Sequence, residues 1–236
     1  MHNIHVKAYV INLKSRSDRW KSVEKQTQSL GIPLIRVDAV SKDEVLAEPF
    51  VTPAVAAAWF SHKKAMSLFL ETQDEYALIL EDDFVLQDRW SEFDFSKYQS
   101  LEIDFLQIGY LVTTPLDLLE LKIKAAADLC LKFLTWTSRA RIFEKTNLRK
   151  KALIREQLNL PLHLVASDIR PGAHAYIVSR KFALAMQQIN SPVILSTDAL
   201  YIALGWMRSF KFVRFRKSVI SQSDSVTSID DRFSIL

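Results

Sequence analysis

The chain contains few glycines, and this scarcity limits the kind of phosphate site that it can form. Only four of its 236 residues are glycine, and it contains no G-x-G-x-x-G, P-loop, H-E-x-x-H or G-x-S-x-G pattern. The first two patterns need glycine where the backbone closely approaches a phosphate group, whereas the last two provide metal ligands or a nucleophilic serine. The sequence therefore excludes a glycine-rich nucleotide loop and the two commonest hydrolase motifs.

Cysteine and long apolar runs are also scarce. Cys130 is the only cysteine, so neither an internal disulfide nor a cysteine-based zinc cluster can form. The first residues lack the charged-then-apolar pattern of a secretory signal. No run approaches the roughly 18 apolar residues of a membrane-spanning helix. We expect a reduced, cytoplasmic protein, and any membrane contact would be peripheral, at the inner membrane.

The overall composition is that of a soluble globular protein. Apolar residues make up 49% and charged residues 25% of the chain. The length suits a single domain spanning residues 1–236, with room for a helical appendage. A net charge of +4 favours anionic ligands or surfaces without requiring nucleic acid, and we expect no nucleic-acid partner.

The most informative stretch is the short apolar run Tyr76–Leu80, which stops at Glu81, Asp82 and Asp83. Such a run predicts a strand buried on both faces of a largely parallel sheet, and ligands of open α/β sheets bind outside the carboxyl ends of the strands. Adjacent carboxylates repel one another unless they are solvated or share a cation. Mg²⁺ and Mn²⁺ prefer such oxygen ligands. We therefore predict a metal-assisted phosphate site here, with a solvated acidic turn as the alternative.

The chain opens with a β-α-β pattern, which is typical of a parallel sheet with helices on its faces. The predicted elements are a strand at 6–13, a helix at 17–30 that is capped by Ser17 and stops at Gly31, and a strand at 34–37. Asn12, Arg16 and Arg19 follow the first strand. Arginines at this position can hold a diphosphate through paired charge-assisted hydrogen bonds, and the alternative is that they are solvated helix-start residues.

A second helix is predicted from Pro53 to about Thr72, where apolar residues recur every three or four positions. His62 lies on or beside its apolar face. A lone histidine on such a face is more often a packed core residue than a catalytic group, so both interpretations stay open.

The stretch 115–165 is predicted to be a helical insertion. Its part 139–155 carries seven Lys or Arg residues against one acid, Glu144. A basic helical segment with aromatic neighbours can lie against anionic lipid headgroups. The alternatives are a solvated basic face or part of a substrate site. Beyond it we predict a strand near 175–179, a helix at 180–189, a strand at 210–220 and a polar loop at 221–230.

Several blocks of the chain, taken in order, resemble glycosyltransferase family 25. They are Val10–Leu13 with Ser15–Arg19, Arg36–Val40, Ser61–His62, Leu80–Asp83, Gly172–Ser179, Pro192 with Asp198, and Gln222–Ser225. The matches run from residue 10 to about residue 229 but leave the span 110–165 uncovered. This family includes bacterial lipooligosaccharide galactosyltransferases and collagen galactosyltransferases.

The resemblance implies an α/β fold of the GT-A type, which is Rossmann-like and has a mostly parallel central sheet flanked by helices. It also implies an inverting enzyme that transfers a hexose, usually galactose, from a UDP-sugar donor. The acceptor would be a hydroxyl group of a glycan or lipid-linked oligosaccharide, in lipooligosaccharide or other surface-glycan synthesis.

The resemblance further implies roles for individual residues. Asp83, with Asp82 or Glu81, would hold Mn²⁺ or Mg²⁺, and Gln222 or Asp224 could complete the metal or phosphate site. Because adjacent side chains on a strand point to opposite sides, we expect Asp83 to be the direct ligand and Asp82 to face the ribose or a water. A general base is needed. Asp198 is the first candidate, with Asp168 and Asp224 as reserves, although Asp198 also suits an ordinary helix N-cap. The predicted donor-binding residues are Asn12, Arg16, Arg19, Asp38, His62, Glu81, Asp82 and Gln222.

Two other classes of protein remain as alternatives. A glycoside hydrolase also uses two carboxylates, but they stand apart across the scissile bond rather than adjacent. A catalytically silent relative would bind a nucleotide sugar or a membrane surface, which would explain segment 139–155 but not the acidic run.

Overall fold

The structure is a computed structural model, and it describes residues 6–46, 48, 50–99, 101–111, 164–166, 168–207 and 210–223. The strands are β1 (Lys7–Asn12), β2 (Leu34–Asp38), β3 (Tyr76–Glu81), β4 (Phe84–Leu86), β5 (Phe105–Gly109), β6 (Leu164–Ala166), β7 (Ala175–Ser179), β8 (Phe212–Phe215) and β9 (Ile220–Gln222). The helices are α1 (Ser17–Leu30), α2 (Pro53–Leu70), α3 (Ser96–Gln99), α4 (Arg180–Met186) and α5 (Thr197–Met207), with 3₁₀ turns at Lys42–Glu44 and Asp88–Glu92.

Within the described residues the strands form a single sheet in the order β2-β1-β3-β7-β5-β8-β6. Strand β9 joins beside β5 and also pairs with β4. Strands β1, β2, β3, β5, β8 and β9 run in one direction, whereas β7, β6 and β4 run in the other. The prediction of a mostly parallel central sheet flanked by helices is confirmed.

The sheet is buried on both faces. Helices α2, α4 and α5 cover one face, where Tyr9, Ile79 and Phe105 belong to the core. Helix α1 and the 88–99 region cover the other face, against Val10 and Leu80. In β3 the four residues from position 77 to position 80 are completely buried, as expected for a strand with protein on both sides.

Local signals set the ends of the first helices. Gly31 adopts the left-handed conformation that ends α1, and Pro53 opens α2 behind Thr52, whose hydroxyl accepts the N–H of Val55. The predicted Ser17 cap is wrong by one position, because Arg16 occupies the N-cap and Ser17 is the first residue of the helix.

The predicted strand at 210–220 is wrong in extent, because the chain forms two strands there. Strand β8 pairs with β5 as far as Arg214. After a bend at the exposed Arg216 and Lys217, the chain pairs with β5 again as β9, in the same direction, opposite Gly109. Ser221 and Gln222, predicted to be in a loop, therefore lie in a strand. A Cβ atom at Gly109 would lie 2.8 Å from the carbonyl oxygen of Ile220, so glycine permits this close approach.

Most of the predicted insertion 115–165, including the basic segment 139–155, lies outside the described residues. Of the predicted insertion, only positions 164 and 165 are described, and they belong to β6. Among the helices that the structure describes, none has the length and apolarity needed to cross a lipid bilayer.

Phe105 provides a test of this core. Its ring centroid lies 4.9 Å from those of Tyr176, Tyr201 and Phe212. We predict that Phe105→Ala lowers the free energy of unfolding by about 3–5 kcal/mol, because it leaves a cavity between three rings. Urea denaturation would measure this loss. Leu184→Ala is the control, since Leu184 is 54% exposed, and an equal loss in both variants would contradict the described core.

Candidate functional site

The carboxyl ends of β1, β2 and β3 meet at one edge of the sheet. Asn12 pairs with Asp38, and Ile11 pairs with Glu81, so the last residues of the three strands lie side by side. Strand β3 ends at Glu81, and Asp82 and Asp83 form the turn that leads into β4. This is the edge where open α/β sheets bind ligands.

Asp82 is buried and has a partner for each carboxylate oxygen. Asn12 donates from Nδ2 to Asp82 Oδ2 at 2.6 Å, and Arg19 donates from Nη1 to Asp82 Oδ1 at 2.9 Å. The side-chain oxygen of Asn12 accepts a hydrogen bond from Arg36 at 2.6 Å. Asp82 is therefore fixed in orientation by groups from β1 and α1.

Asp83 is as buried as Asp82, but its two carboxylate oxygens differ in their hydrogen bonds. Its Oδ2 accepts hydrogen bonds from Gln222 at 2.9 Å and from Arg19 at 3.2 Å. Its Oδ1 is buried, and no group among the described residues donates a hydrogen bond to it. Its backbone carbonyl accepts the N–H of Ser223 at 2.7 Å, which ties the acidic turn to the end of β9.

The expectation that Asp82 and Asp83 point to opposite sides is wrong. One nitrogen atom of Arg19 contacts both carboxylates, so both lie on the same side of the chain. The alternation of side chains holds within a regular strand, but these residues lie in a turn beyond the end of β3. Arg19 itself is not the solvated helix-start residue of the alternative interpretation, because its side chain is only 11% exposed.

The electrostatic balance of this turn leaves Asp83 short of positive charge. Burial, reinforced by the negative charge of Glu81, raises the pKa of Asp83 to about 6, although Gln222 and Arg19 act in the opposite direction. A carboxylate in this state is stabilised by an additional cation.

The residues present fit a divalent cation in part. The Oδ1 atom of Asp83, which has no hydrogen-bond partner within the described part of the chain, is a hard oxygen ligand of the kind that Mg²⁺ and Mn²⁺ prefer. Such ions usually take one or two carboxylates together with substrate phosphates. The described portion of the chain contains no group of three or more His, Cys, Asp or Glu residues placed to hold a metal ion. Asp224, a predicted ligand, lies outside that portion.

His62 and Glu81, both predicted to bind the donor, are in contact. His62 Nε2 lies 3.3 Å from Glu81 Oε1, and His62 Nδ1 lies 2.7 Å from the hydroxyl of Tyr176. His62 is 2% exposed, as expected for a core residue, yet it contacts the acidic run through Glu81. The two interpretations of His62 therefore do not exclude one another.

Two other predicted donor-binding residues lie near this edge but outside the buried cluster. Arg16 forms a two-pronged ion pair with Asp18 at 2.8 and 2.9 Å, on the exposed side of α1. Asp38 lies 3.2 Å from Lys14, and both side chains are solvent-exposed. Their roles in binding a donor stay predictions.

The two candidate bases have protein partners. Asp198 lies in the first turn of α5, where its oxygens accept the N–H groups of Gly172 at 2.9 Å and Ala173 at 2.7 Å. Asp198 therefore holds a neighbouring loop rather than the end of its own helix. Asp168 is paired with the buried Arg214 at 2.5 Å. Neither arrangement tests a role in catalysis.

Three residues that sequence reasoning missed complete these contacts. Arg36 holds Asn12 and lies over the Trp20 ring, 4.6 Å from its centroid. Tyr176 and Tyr201 lie behind His62, with their hydroxyl oxygens 3.0 Å apart. Tyr176 falls in one of the family-like blocks, but its hydrogen bonds depend on tertiary packing that no local pattern reveals.

The raised pKa of Asp83 predicts a pH-dependent cost in stability. The folded-state pKa of about 6 lies above the ordinary value of 3.8, so the cost is present above pH 6 and is lost as the pH falls towards 3.8. In the presence of a metal chelator, we predict that Asp83→Asn raises the free energy of unfolding near pH 7.5 by up to about 3 kcal/mol. Near pH 4 the substitution should have little effect. Urea denaturation across this range is the measurement. A gain that does not vary with pH would contradict this explanation, and Asp88→Asn at an exposed position is the control.

Comparison with solved structures supports the fold. A glycosyltransferase involved in the glycosylation of the major capsid of PBCV-1 is similar to this chain, with a TM-score of 0.50 and 7% sequence identity. The similarity covers 94% of each chain. At this identity the likeness concerns the fold alone. Comparison with curated protein sequences gives no match.

Comparison with protein families is more specific. The family model described as glycosyltransferase family 25 (LPS biosynthesis protein) matches residues 5–201. This range contains the acidic turn, Arg19, His62 and the loop held by Asp198, and it exceeds half of the chain. The chain belongs to glycosyltransferase family 25.

Proposed function

We propose that this glycosyltransferase is metal-dependent and transfers a hexose, with galactose as the first candidate, from a UDP-sugar to a hydroxyl group of a glycan. The observation that carries the proposal is the buried Asp83 at the ligand-binding edge of the sheet, whose Oδ1 accepts no hydrogen bond from the residues that the structure describes. Such a carboxylate is costly for a folded protein to maintain, and costs of this kind are concentrated at functional sites. Family membership supports a nucleotide-sugar donor.

In this proposal Asp83 holds Mn²⁺ or Mg²⁺ through Oδ1, and Asp224 is the further candidate ligand. When bound, the cation neutralises negative charge on the departing diphosphate. Asp82 already accepts hydrogen bonds from Asn12 and Arg19, which suits a group that orients the donor rather than one that ligates the ion. Gln222 restrains the other oxygen of Asp83 and so keeps the carboxylate directed towards the site.

Transfer with inversion requires a general base to take the proton of the attacking hydroxyl. We propose Asp198 for this role. The loop that it binds leads into His174, whose carbonyl accepts the N–H of Glu81 at 2.9 Å, so this loop lies at the same edge of the sheet as the acidic turn. Among the described residues each of its oxygens accepts one backbone N–H, and a carboxylate oxygen has a second lone pair that suits a substrate hydroxyl. Asp168 is the second candidate, because its carboxylate is already paired with Arg214.

The acceptor in this proposal is a glycan or lipid-linked oligosaccharide used in surface-glycan synthesis. The basic segment 139–155 would bring the protein to an anionic membrane that carries such an acceptor. This part of the proposal is supported by the sequence, where seven basic residues stand against one acid.

Calorimetric titration of UDP tests the donor site. We predict that wild-type protein binds UDP in the presence of Mn²⁺, and that omission of the metal or the change Asp83→Ala lowers the affinity by at least about tenfold. The reason is that the cation links the diphosphate to Asp83.

Asp88→Ala is the matched control for this titration. Asp88 is an exposed acid beyond β4, so its removal changes the net charge equally but leaves the acidic turn intact. If folded wild-type protein bound no UDP with or without metal, the proposed function would be wrong.

A further inference from the structure

A series of hydrogen bonds leads from the buried core to the partly exposed Glu81. The hydroxyl oxygens of Tyr201 and Tyr176 are 3.0 Å apart, the Tyr176 hydroxyl lies 2.7 Å from His62 Nδ1, and His62 Nε2 lies 3.3 Å from Glu81 Oε1. The four residues come from α5, β7, α2 and β3, so the chain crosses from a covering helix to the ligand-binding edge of the sheet.

This series of hydrogen bonds runs from the buried interior of the protein to a partly exposed carboxylate. Tyr176, Tyr201 and His62 are between 0% and 2% exposed, whereas the side chain of Glu81 is 27% exposed. The Tyr176 ring stacks on Phe105 at a centroid distance of 4.9 Å and on His62 at 5.8 Å. These rings enclose the hydrogen bonds and prevent the side chains from rotating freely.

The chemistry of these groups fixes the direction of the hydrogen bonds. An ionised Glu81 can only accept, so His62 must donate from Nε2. In neutral histidine Nδ1 then accepts, so Tyr176 donates to His62, and Tyr201 donates to Tyr176. Burial raises the pKa of both tyrosines, which keeps both hydroxyl protons in place. Every donor in the chain therefore points towards Glu81, and hydrogen bonds aligned in this way reinforce one another.

We infer that Tyr201, Tyr176 and His62 are positioning residues that orient Glu81 to accept a hydrogen bond from a sugar hydroxyl in the active site. This inference rests on the proposed function, because it places a sugar next to the acidic turn. The hydrogen bond from His62 restrains the carboxylate, while its partial exposure leaves Glu81 accessible to substrate. A packing role alone would not require a histidine and two hydroxyl groups in line with a partly exposed acid.

The same chemistry fits two sources of the hydroxyl, namely the hexose of the donor and the acceptor glycan. Calorimetry with UDP and with UDP-galactose, combined with steady-state transfer, separates them. The central variant is Tyr176→Phe, which removes one hydroxyl group and keeps the ring that packs on Phe105.

We predict that Tyr176→Phe leaves the affinity for UDP unchanged. If Glu81 contacts the donor hexose, the affinity for UDP-galactose falls about tenfold; if Glu81 contacts the acceptor, kcat for transfer falls about tenfold at unchanged UDP-galactose affinity. Loss of one hydrogen bond is of this order. Either result supports the inference. Unchanged UDP-galactose affinity, kcat and acceptor KM would overturn it.

The tautomer of His62 gives a readout that does not depend on activity. Nitrogen NMR of ¹⁵N-histidine-labelled protein, assigned with His62→Gln, should show the proton of His62 on Nε2 in the wild type. In Tyr176→Phe the Nδ1 resonance should shift, because that nitrogen loses its hydrogen-bond donor. A proton on Nδ1 in the wild type would overturn the inference. Failure of the wild type to bind UDP would instead overturn the proposed function, and the NMR signal would still report on the hydrogen-bond chain.

Tyr9→Phe is the matched control. Tyr9 is a buried tyrosine that packs on Phe69 and lies outside this hydrogen-bond chain. We expect it to leave the His62 tautomer, the UDP-galactose affinity and kcat unchanged. Thermal unfolding of both Tyr→Phe variants shows whether a loss of stability accompanies any change in kcat.

Discussion

The mutual repulsion of Asp82 and Asp83 constrains much of the structure around them. Two adjacent carboxylates, both less than a tenth exposed, need positive charge or hydrogen-bond donors, and one Arg19 nitrogen contacts both. Asn12 from β1 and Gln222 from β9 provide the remaining donors. The site therefore depends on the first helix and on strands at both ends of the described chain. Within the described residues one oxygen of Asp83 has no hydrogen-bond partner, and in the proposed function a divalent cation would supply the missing positive charge.

The order of strands explains how distant residues come together. Parallel pairing of β1 with β2 and β3 places three carboxyl ends side by side, and antiparallel β7 brings the start of its own strand to the same edge. The loop before β7 therefore lies next to Glu81, although about ninety positions separate them in the sequence. The hydrogen-bond chain behind His62 uses this arrangement, since Tyr176 lies on β7 and faces α2.

Features that depend on local sequence could be predicted, and features that depend on distant partners could not. The apolar run of β3, the acids that follow it and the stop of α1 at Gly31 are set by burial and turn chemistry. The contact of Arg19 with Asp82 spans 63 positions, and no periodicity reveals it. The prediction for Asp82 and Asp83 was wrong because side chains alternate only within a regular strand, and β3 ends at Glu81, before both residues. Residues 210–220 form two strands because β5 pairs first with β8 and then, at Gly109, with β9. This exchange of partners is visible only in the folded sheet.

The position of β9 late in the chain has a consequence for protein synthesis. A growing polypeptide emerges from the ribosome amino end first, and its early part begins to fold before the rest is made. The contacts of Asp82 with Asn12 and Arg19 are available once β3 has emerged. Gln222 follows Asp83 by 139 positions, and Ser223, which binds the Asp83 carbonyl, comes later still. A nascent chain therefore contains the acidic turn long before the strand that restrains it, and Asp83 acquires these contacts only after Gln222 and Ser223 have emerged.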